Sequence, residues 1–153
     1  MTYPKLMTKV ARTRLARDWG FELPTPWKLL VEITKVCNNK CLNCSIWSTP
    51  NKQFLTLDHY EKLFIDNPNL MWLSITGGEP FTRQDIDEIV KLGMKHCPDL
   101  KFLSIPTNGF WTDQIVKKTK AFIDTGIEVH ITISLDGRRD VHNLIRGTKD
   151  GYD

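Results

Sequence analysis

Four apolar, β-prone runs alternate with helical patterns along this chain. The runs cover residues 27–34, 69–76, 100–106 and 127–135, and the helical patterns cover residues 56–67, 82–96 and 112–126. Strands that alternate with helices of about 10–15 residues indicate βαβ units and a parallel sheet. The 153 residues, 41% of them hydrophobic, are enough for one domain with a sizeable core. We therefore expect an α/β fold built on parallel strands.

Two of the predicted helices carry boundary signals. Thr82, with Asp85 three residues later, predicts a capping box at the start of the helix over 82–96. Gly126 predicts the end of the helix over 112–126. The stretch RGTKDGYD, residues 146–153, is where we expect a fourth helix to begin.

The strands have one apolar and one polar face. In the last strand Ile127, Val129, Ile131 and Ile133 share one face, and Glu128, His130, Thr132 and Ser134 share the other. Parallel strands that are covered on both faces usually read as unbroken apolar runs instead. Helices need the apolar face, so the polar face is expected to line an open interior. A sheet with one plain solvent-facing side is the alternative, but the consistent handedness of βαβ crossovers favours a curved sheet.

A distinctive segment follows each predicted strand. VCNNKCLNC follows the first strand, TGGEP the second, PTNG the third and SLDG the fourth. Each glycine-rich segment alone is a weak indication, because turns favour Gly, Asn and Asp for backbone reasons. In curved α/β sheets, however, ligands gather at the carboxyl ends of the strands. Four such segments on one rim predict a functional site there.

Three of the four cysteines, Cys37, Cys41 and Cys44, form a C-x3-C-x2-C pattern after the first strand. The chain starts without an apolar signal-peptide core, and no apolar run approaches the roughly 18 residues of a membrane span. We therefore expect a cytoplasmic protein whose cysteines stay reduced. Reduced cysteines at this spacing favour a metal site over disulfide bonds.

The remaining cysteine, Cys97, is predicted to lie at the opposite rim. A strand of about seven residues separates the two rims by roughly 20 Å, which is too far for a shared metal ion. A structural zinc site needs four ligands, so it would have to recruit His59 or His96. Three thiolates suit a [4Fe–4S] cluster that leaves one iron open to an external ligand. Cys97 is interpreted as a small buried apolar residue.

The first 26 residues are basic. Five basic side chains stand against Asp18 alone in residues 1–20. We expect residues 1–26 to be a helical extension that packs on the domain, with an organelle presequence as the alternative. The net charge of +3 is small and dispersed, so it does not indicate nucleic-acid binding.

Together these segments resemble the radical S-adenosylmethionine (radical SAM) superfamily. Its arrangement is a C-x3-C-x2-C loop after the first strand, GGEP after the second and a polar end of the fourth strand, and the resemblance runs from about Trp27 to the C terminus. SLDG followed by VHNLIRG is most similar to the branch that often carries C-terminal auxiliary clusters and frequently modifies peptides. The resemblance implies a partial, TIM-like (β/α) barrel of about six units. Residues 27–153 are then expected to be the N-terminal portion of that core, an incomplete domain with about four of the strands.

The resemblance also implies roles for individual residues. Cys37, Cys41 and Cys44 would each bind one iron, and the fourth iron would take the amino and carboxylate groups of SAM. SAM contacts are implied for Gly77, Gly78, Glu79, Asn108, Ser134, Asp136 and Arg146. Glu79 suits the ammonium group, and the planar fork of Arg146 suits the carboxylate.

The implied reaction begins when a reduced cluster passes one electron to the SAM sulfonium and a C–S bond breaks. The resulting 5′-deoxyadenosyl radical would abstract a hydrogen from the substrate, a small molecule or a peptide. The electron donor would be a protein such as flavodoxin or ferredoxin. An iron–sulfur or zinc electron-carrier module without SAM chemistry is the alternative.

One position departs from the family pattern. The residue before the third cysteine, usually an aromatic side chain against the adenine, is Asn43 in this chain. Either Asn43 hydrogen-bonds the adenine edge, or Trp47 supplies a stacking face from the other side of the loop.

Overall fold

The fold is organised around a parallel sheet of four strands in the order β1-β2-β3-β4. The structure is a computed structural model that describes residues 2–50 and 54–153. The strands are β1 (Lys28–Thr34), β2 (Trp72–Gly77), β3 (Phe102–Thr107) and β4 (Glu128–Ile133). The helices are α1 (Thr2–Trp19), α2 (Leu57–Ile65), α3 (Ile86–His96), α4 (Thr112–Asp124) and α5 (Arg139–Arg146), with short 3-10 turns at Ile46–Ser48 and Pro80–Thr82. The alternation of strands and helices predicted from the sequence is confirmed.

The hydrophobic core lies between one face of the sheet and the helices α2, α3 and α4. Alternate strand residues supply the sheet side of this core, namely Ile33, Leu73, Ile75, Leu103 and Ile105. On the opposite face the hydroxyl oxygens of Ser74 and Ser104 lie 2.6 Å apart, and the Trp72 indole donates to Ser104. Helices α2, α3 and α4 therefore cover the apolar face, and the face that carries the serines lies outside this core, as the alternation predicts.

Ile133 departs from that pattern. The alternation predicts this residue on the covered face of β4, but it is 65% exposed. The reason is that α5, the next helix along the chain, contacts the cysteine loop: the Leu42 N–H donates to the Ile145 carbonyl at 2.8 Å. The apolar end of β4 is left exposed as a result.

The predicted capping box of α3 is wrong. The helix begins at Ile86, and Thr82 closes the preceding 3-10 turn, where its hydroxyl donates to the Glu79 carbonyl at 2.7 Å. The Asp85 carboxylate accepts hydrogen bonds from the Arg83 guanidinium instead of capping the helix. Both side chains of the expected box therefore have other partners. The predicted helix end at Gly126 is confirmed, since α4 stops at Asp124 and Gly126 has a φ of +86°.

The fourth strand is already followed by a helix, so the expected start of a fourth helix in residues 146–153 is also wrong. Helix α5 covers Arg139–Arg146 and stops at Gly147, which takes a left-handed conformation with φ +65°. The Thr148 N–H then donates to the Asn143 carbonyl, which satisfies one of the terminal carbonyls. The signals were present in the sequence: Asp140 in the first turn, Arg146 in the last and a terminal glycine.

Helix α1 lies across the amino-terminal ends of the strands. Lys9 donates to the carbonyl of Asn69 ahead of β2, and Lys5 pairs with Asp99 ahead of β3. These contacts place α1 on the rim opposite the cysteine loop. None of the helices in the described residues has the length and apolar character needed to cross a membrane.

The Arg83 side chain donates a hydrogen bond to the end of β1, immediately before the cysteine loop. Its side chain is only 9% exposed and pairs with Asp85 at 2.7 Å. It donates to the carbonyl of Ile33 at 2.7 Å and to the carbonyl of Leu55 at 2.9 Å. One buried guanidinium therefore ties β1 to the segment that leads into α2.

Replacing Arg83 by Met is expected to lower the free energy of unfolding by about 2 kcal/mol, because it leaves the carbonyl of the buried residue Ile33 without its donor. The partial exposure of Asp85 keeps the figure below that for a fully buried pair. Urea denaturation followed by circular dichroism measures the change. Lys91→Met, which removes an exposed pair with Glu88, is the control and should have a much smaller effect. Equal losses for the two variants would contradict the assignment.

Candidate functional site

The segments that follow the four strands surround one cavity of about 310 Å³. All the site residues predicted from the sequence line it except Asp136; they are Cys37, Cys41, Cys44, Gly77, Gly78, Glu79, Asn108, Ser134 and Arg146. The expectation that these segments meet at the carboxyl rim is therefore met by the structure. We call this space the rim cavity.

The two glycines of GGEP lie directly against the start of the cysteine loop. The Gly78 N–H donates to the Thr34 carbonyl at 2.8 Å, and the Glu79 N–H donates to the Val36 carbonyl at 2.9 Å. A Cβ atom at Gly77 would lie 2.2 Å from the Thr34 oxygen, and one at Gly78 would lie 2.2 Å from the Val36 oxygen. Gly77 also has a φ of +141°, which other residues rarely adopt. Only glycine permits this approach of the two segments.

The three cysteines of the loop have free thiols and differ in solvent exposure. Cys41 is buried, Cys37 is half-buried and Cys44 is exposed. Burial raises the pKa of the Cys37 thiol, an effect that the Asn39 backbone N–H opposes. In residues 2–50 and 54–153, no three His, Cys, Asp or Glu side chains are grouped so that they could hold a metal ion. The three thiols line one cavity without being grouped around a single ion, and this donor set fits an iron–sulfur cluster, in which each thiolate binds a different iron.

Glu79 is a buried carboxylate in the wall of the rim cavity, with 2% of its surface exposed. One oxygen accepts from the Thr107 hydroxyl at 2.9 Å and from the Phe81 N–H at 3.3 Å, and the other accepts from the Asn108 N–H at 2.8 Å. Burial raises the pKa of Glu79, and these three hydrogen bonds oppose the rise. A cationic ligand group beside this carboxylate would favour its charged form.

Asp136 lies behind the cavity wall instead of on it. Its Oδ2 lies 2.6 Å from Nε of Arg146, and its backbone N–H donates to Nδ1 of His142 at 3.2 Å. Arg146 reaches further and lines the rim cavity itself. Ser134, which also lines the cavity, is fixed by its N–H, which donates to the Thr107 carbonyl at 3.0 Å.

Two residues of the site were missed from the sequence. Asn39 lines the rim cavity with 5% of its surface exposed, and its Nδ2 has no hydrogen-bond partner within the described part of the chain. Its signal was a second amide inside the C-x3-C spacing. His142 is 2% exposed and supports the backbone at Asp136. Its signal was a titratable residue within a short helix that follows a strand end.

The other candidate ligands lie elsewhere. Cys97 is 1% exposed at the end of α3, and burial raises the pKa of its thiol to about 11. Its interpretation as a buried residue away from the site is confirmed. His59 contacts the Thr56 hydroxyl at the start of α2, and His96 contacts Glu61. Asn43 lines the rim cavity, while the indole of Trp47 donates to the Cys41 carbonyl.

Comparisons with known sequences agree with this geometry. The sequence profile of the radical SAM superfamily matches residues 31–153. GTP 3′,8-cyclase of Nautilia profundicola is 35% identical over 117 residues, which are 69% of this chain and 34% of that protein. The subtilosin biosynthesis protein AlbA of Bacillus subtilis is 26% identical over 154 residues, covering 97% of this chain and 33% of that protein. The chain spans about a third of the length of these curated relatives.

A solved structure shows the same fold. SuiB of Streptococcus suis bound to S-adenosylmethionine superposes with a TM-score of 0.66 at 20% identity, over 96% of this chain and 34% of that one. SuiB bound to its precursor peptide SuiA superposes with a TM-score of 0.62, also at 20% identity, over 95% of this chain and 32% of that one. The likeness confirms the predicted α/β arrangement, four parallel strands of a barrel-like sheet.

Proposed function

Because the chain belongs to the radical SAM superfamily, whose cofactors are a [4Fe–4S] cluster and S-adenosylmethionine, we propose that its rim cavity binds both and supports reductive cleavage of SAM. The observation that carries this proposal is the convergence of three free thiols, a glycine pair and a buried carboxylate on one cavity. The alternative of a simple electron carrier gives no reason for the last two features.

The thiolates of Cys37, Cys41 and Cys44, which line the rim cavity, would each hold one iron. When bound and reduced, the cluster would supply one electron for cleavage of a C–S bond of SAM and so give access to hydrogen abstraction from a substrate. The chain's own residues bind and orient the cofactor. The Glu79 carboxylate would accept from the methionine ammonium, and Gly77 and Gly78 would let the backbone approach it closely.

The remaining contacts follow the fourth strand and the cysteine loop. Ser134 would meet the ribose or carboxylate of SAM, Asn108 borders the same cavity, and the guanidinium of Arg146 would pair with that carboxylate. Asp136, through its ion pair, orients Arg146. Asn43, which lines the cavity, would offer an amide to the adenine edge.

We also propose a domain organisation, a cellular compartment, an electron donor and a substrate class. We assign residues 27–153 to the N-terminal portion of the radical SAM core and residues 1–26 to a helical extension. The four free thiols suit a reducing compartment such as the cytoplasm. A low-potential donor such as ferredoxin or flavodoxin would supply the electron. The substrate is a peptide or a small molecule, and support comes from the precursor peptide bound to SuiB and from the cyclase relatives.

The direct test is anaerobic reconstitution with iron and sulfide. We expect about four irons per chain, together with an electron paramagnetic resonance signal of the reduced cluster that changes when SAM is added. A carrier module would show the cluster but no response to SAM. Stoichiometric zinc without iron–sulfur absorption would overturn the proposal.

Replacing Glu79 by Ala should weaken SAM binding without removing iron. The loss of one charged hydrogen bond is worth roughly 1.5–3 kcal/mol, or about ten- to a hundredfold in affinity. Calorimetric titration of the iron-loaded variant with SAM measures the change. The matched control is Thr107→Val, which removes one donor to the carboxylate and leaves its charge in place. If Thr107→Val weakens binding as much as Glu79→Ala, then Glu79 only braces the end of β3.

A further inference from the structure

The end of helix α5 is pressed against the middle of the cysteine loop. The Leu42 N–H donates to the Ile145 carbonyl at 2.8 Å. A Cβ atom at Gly147 would lie 2.6 Å from the Lys40 oxygen, so only glycine fits at this point of contact. Residues 40–42 and residues 145–147 are therefore in backbone contact, and the side chain of Arg146 is held above Cys41.

Arg146 brings a positive charge to the most buried cysteine of the loop. Its Nη1 lies 3.8 Å from Sγ of Cys41, and Cys41 is 8% exposed. The same guanidinium pairs through Nε with Asp136 at 2.6 Å, and the two side chains are 15% and 22% exposed. Nε and Oδ2 are buried, and neither makes an aligned hydrogen bond within the described residues. Packing thus holds this ion pair where little water reaches it. Electrostatic interactions with neighbouring groups are stronger in such a low-dielectric environment.

We infer that the Arg146–Asp136 pair sets the reduction potential of the cluster through the thiolate of Cys41. This inference rests on the proposed function, because it requires a cluster on that thiolate. Reduction adds one electron from a low-potential donor, with no bond or proton transferred, so the reduced form carries one more negative charge. A guanidinium donor at the sulfur stabilises the reduced form more than the oxidised form and raises the potential. The Asp136 carboxylate opposes this effect by partly neutralising Arg146.

The two members of the pair are therefore expected to act in opposite directions. Arg146→Met removes the positive charge and should lower the midpoint potential. Asp136→Asn removes the opposing charge, keeps the shape of the side chain and should raise it. For Arg146→Met we expect about a tenfold change in the equilibrium constant of reduction, which is about 59 mV for a one-electron couple. Arg146→Lys keeps the charge without the planar fork and should fall between wild type and Arg146→Met.

The experiment is a potentiometric titration of the reconstituted protein with dithionite, followed by electron paramagnetic resonance in the absence of SAM. Opposite shifts for Arg146→Met and Asp136→Asn support the inference, because general loosening of the site would move both in the same direction. If Arg146→Met fails to load iron, the same comparison is made between Arg146→Lys and Asp136→Asn.

Midpoint potentials that agree within a twofold change in the equilibrium constant, or that shift in the same direction, would overturn the inference and leave the proposed function intact. A wild-type protein that binds no cluster would overturn both. Since SAM is absent from the titration, any role of Arg146 at the SAM carboxylate does not enter the result.

Discussion

Substitution of any one of Cys37, Cys41 and Cys44 by Ala should reduce the iron content to background and abolish SAM cleavage. The three thiols surround one cavity, and each would bind a different iron of the cluster. The loss of one ligand leaves a second iron open, which makes the cluster unstable under the conditions of purification. Iron per chain after anaerobic reconstitution, and 5′-deoxyadenosine formed under reducing conditions, are the two measurements.

Cys97→Ala is the matched control for that series. It also removes one thiol, but this thiol is 1% exposed at the end of α3, where its sulfur lies 3.7 Å from the Phe64 carbonyl and 3.5 Å from that of Asn67. We expect wild-type iron content together with some loss of stability, because the change leaves a small cavity in the core. Loss of iron on a par with the loop variants would show that the cluster has a different ligand set.

Alanine at Gly77 or Gly78 should destabilise the protein by about 3 kcal/mol or more and impair cluster loading. At each position a Cβ atom would lie 2.2 Å from a backbone oxygen of the segment leading into the cysteine loop. A clash with backbone cannot be relieved by rotating a side chain, so the two segments must separate. Urea denaturation gives the stability, and iron content reports the state of the loop.

Gly126→Ala separates the steric cost from the conformational cost. Gly126 has a φ of +86° but no heavy atom within 4 Å of an added Cβ, so only backbone strain of about 1 kcal/mol is expected. At Gly78 an added Cβ would clash although φ is not positive. At Gly77 an added Cβ would clash and φ is also positive. The expected order of loss is therefore Gly77, then Gly78, then Gly126. An equal loss at all three positions would contradict the close contact between GGEP and the cysteine loop.

The parts of the fold that depend on sequence-local patterns could be predicted. The alternation of Leu73 and Ile75 with Ser74 fixed which face of β2 meets the helices, and the strand ends placed the cysteine loop and GGEP on one rim. Parallel βαβ topology requires this placement, so no knowledge of individual contacts was needed.

The errors came from contacts between residues that are distant in the sequence. Asp85 was assigned to a helix cap, but Arg83 pairs with it while also fastening β1. Ile133 was assigned to the core, but α5 docks on the cysteine loop. Asn39 was missed because its burial depends on the surrounding strand ends. A capping or alternation pattern describes only a few neighbouring residues. It therefore does not show when a residue distant in the sequence takes the place of the expected partner.

The cysteine loop is synthesised well before helix α5, which packs against it in the folded protein. Arg146 and Cys41 are 105 residues apart in the chain. At typical translation rates of about 5–20 residues per second, Cys41 leaves the ribosome roughly 5–20 s before Arg146. During that interval the nascent chain exposes Cys41 without the helix that later packs against it. The speed of elongation between these two points therefore sets how long the Cys41 thiol is open to iron–sulfur donors and to oxidants before α5 forms.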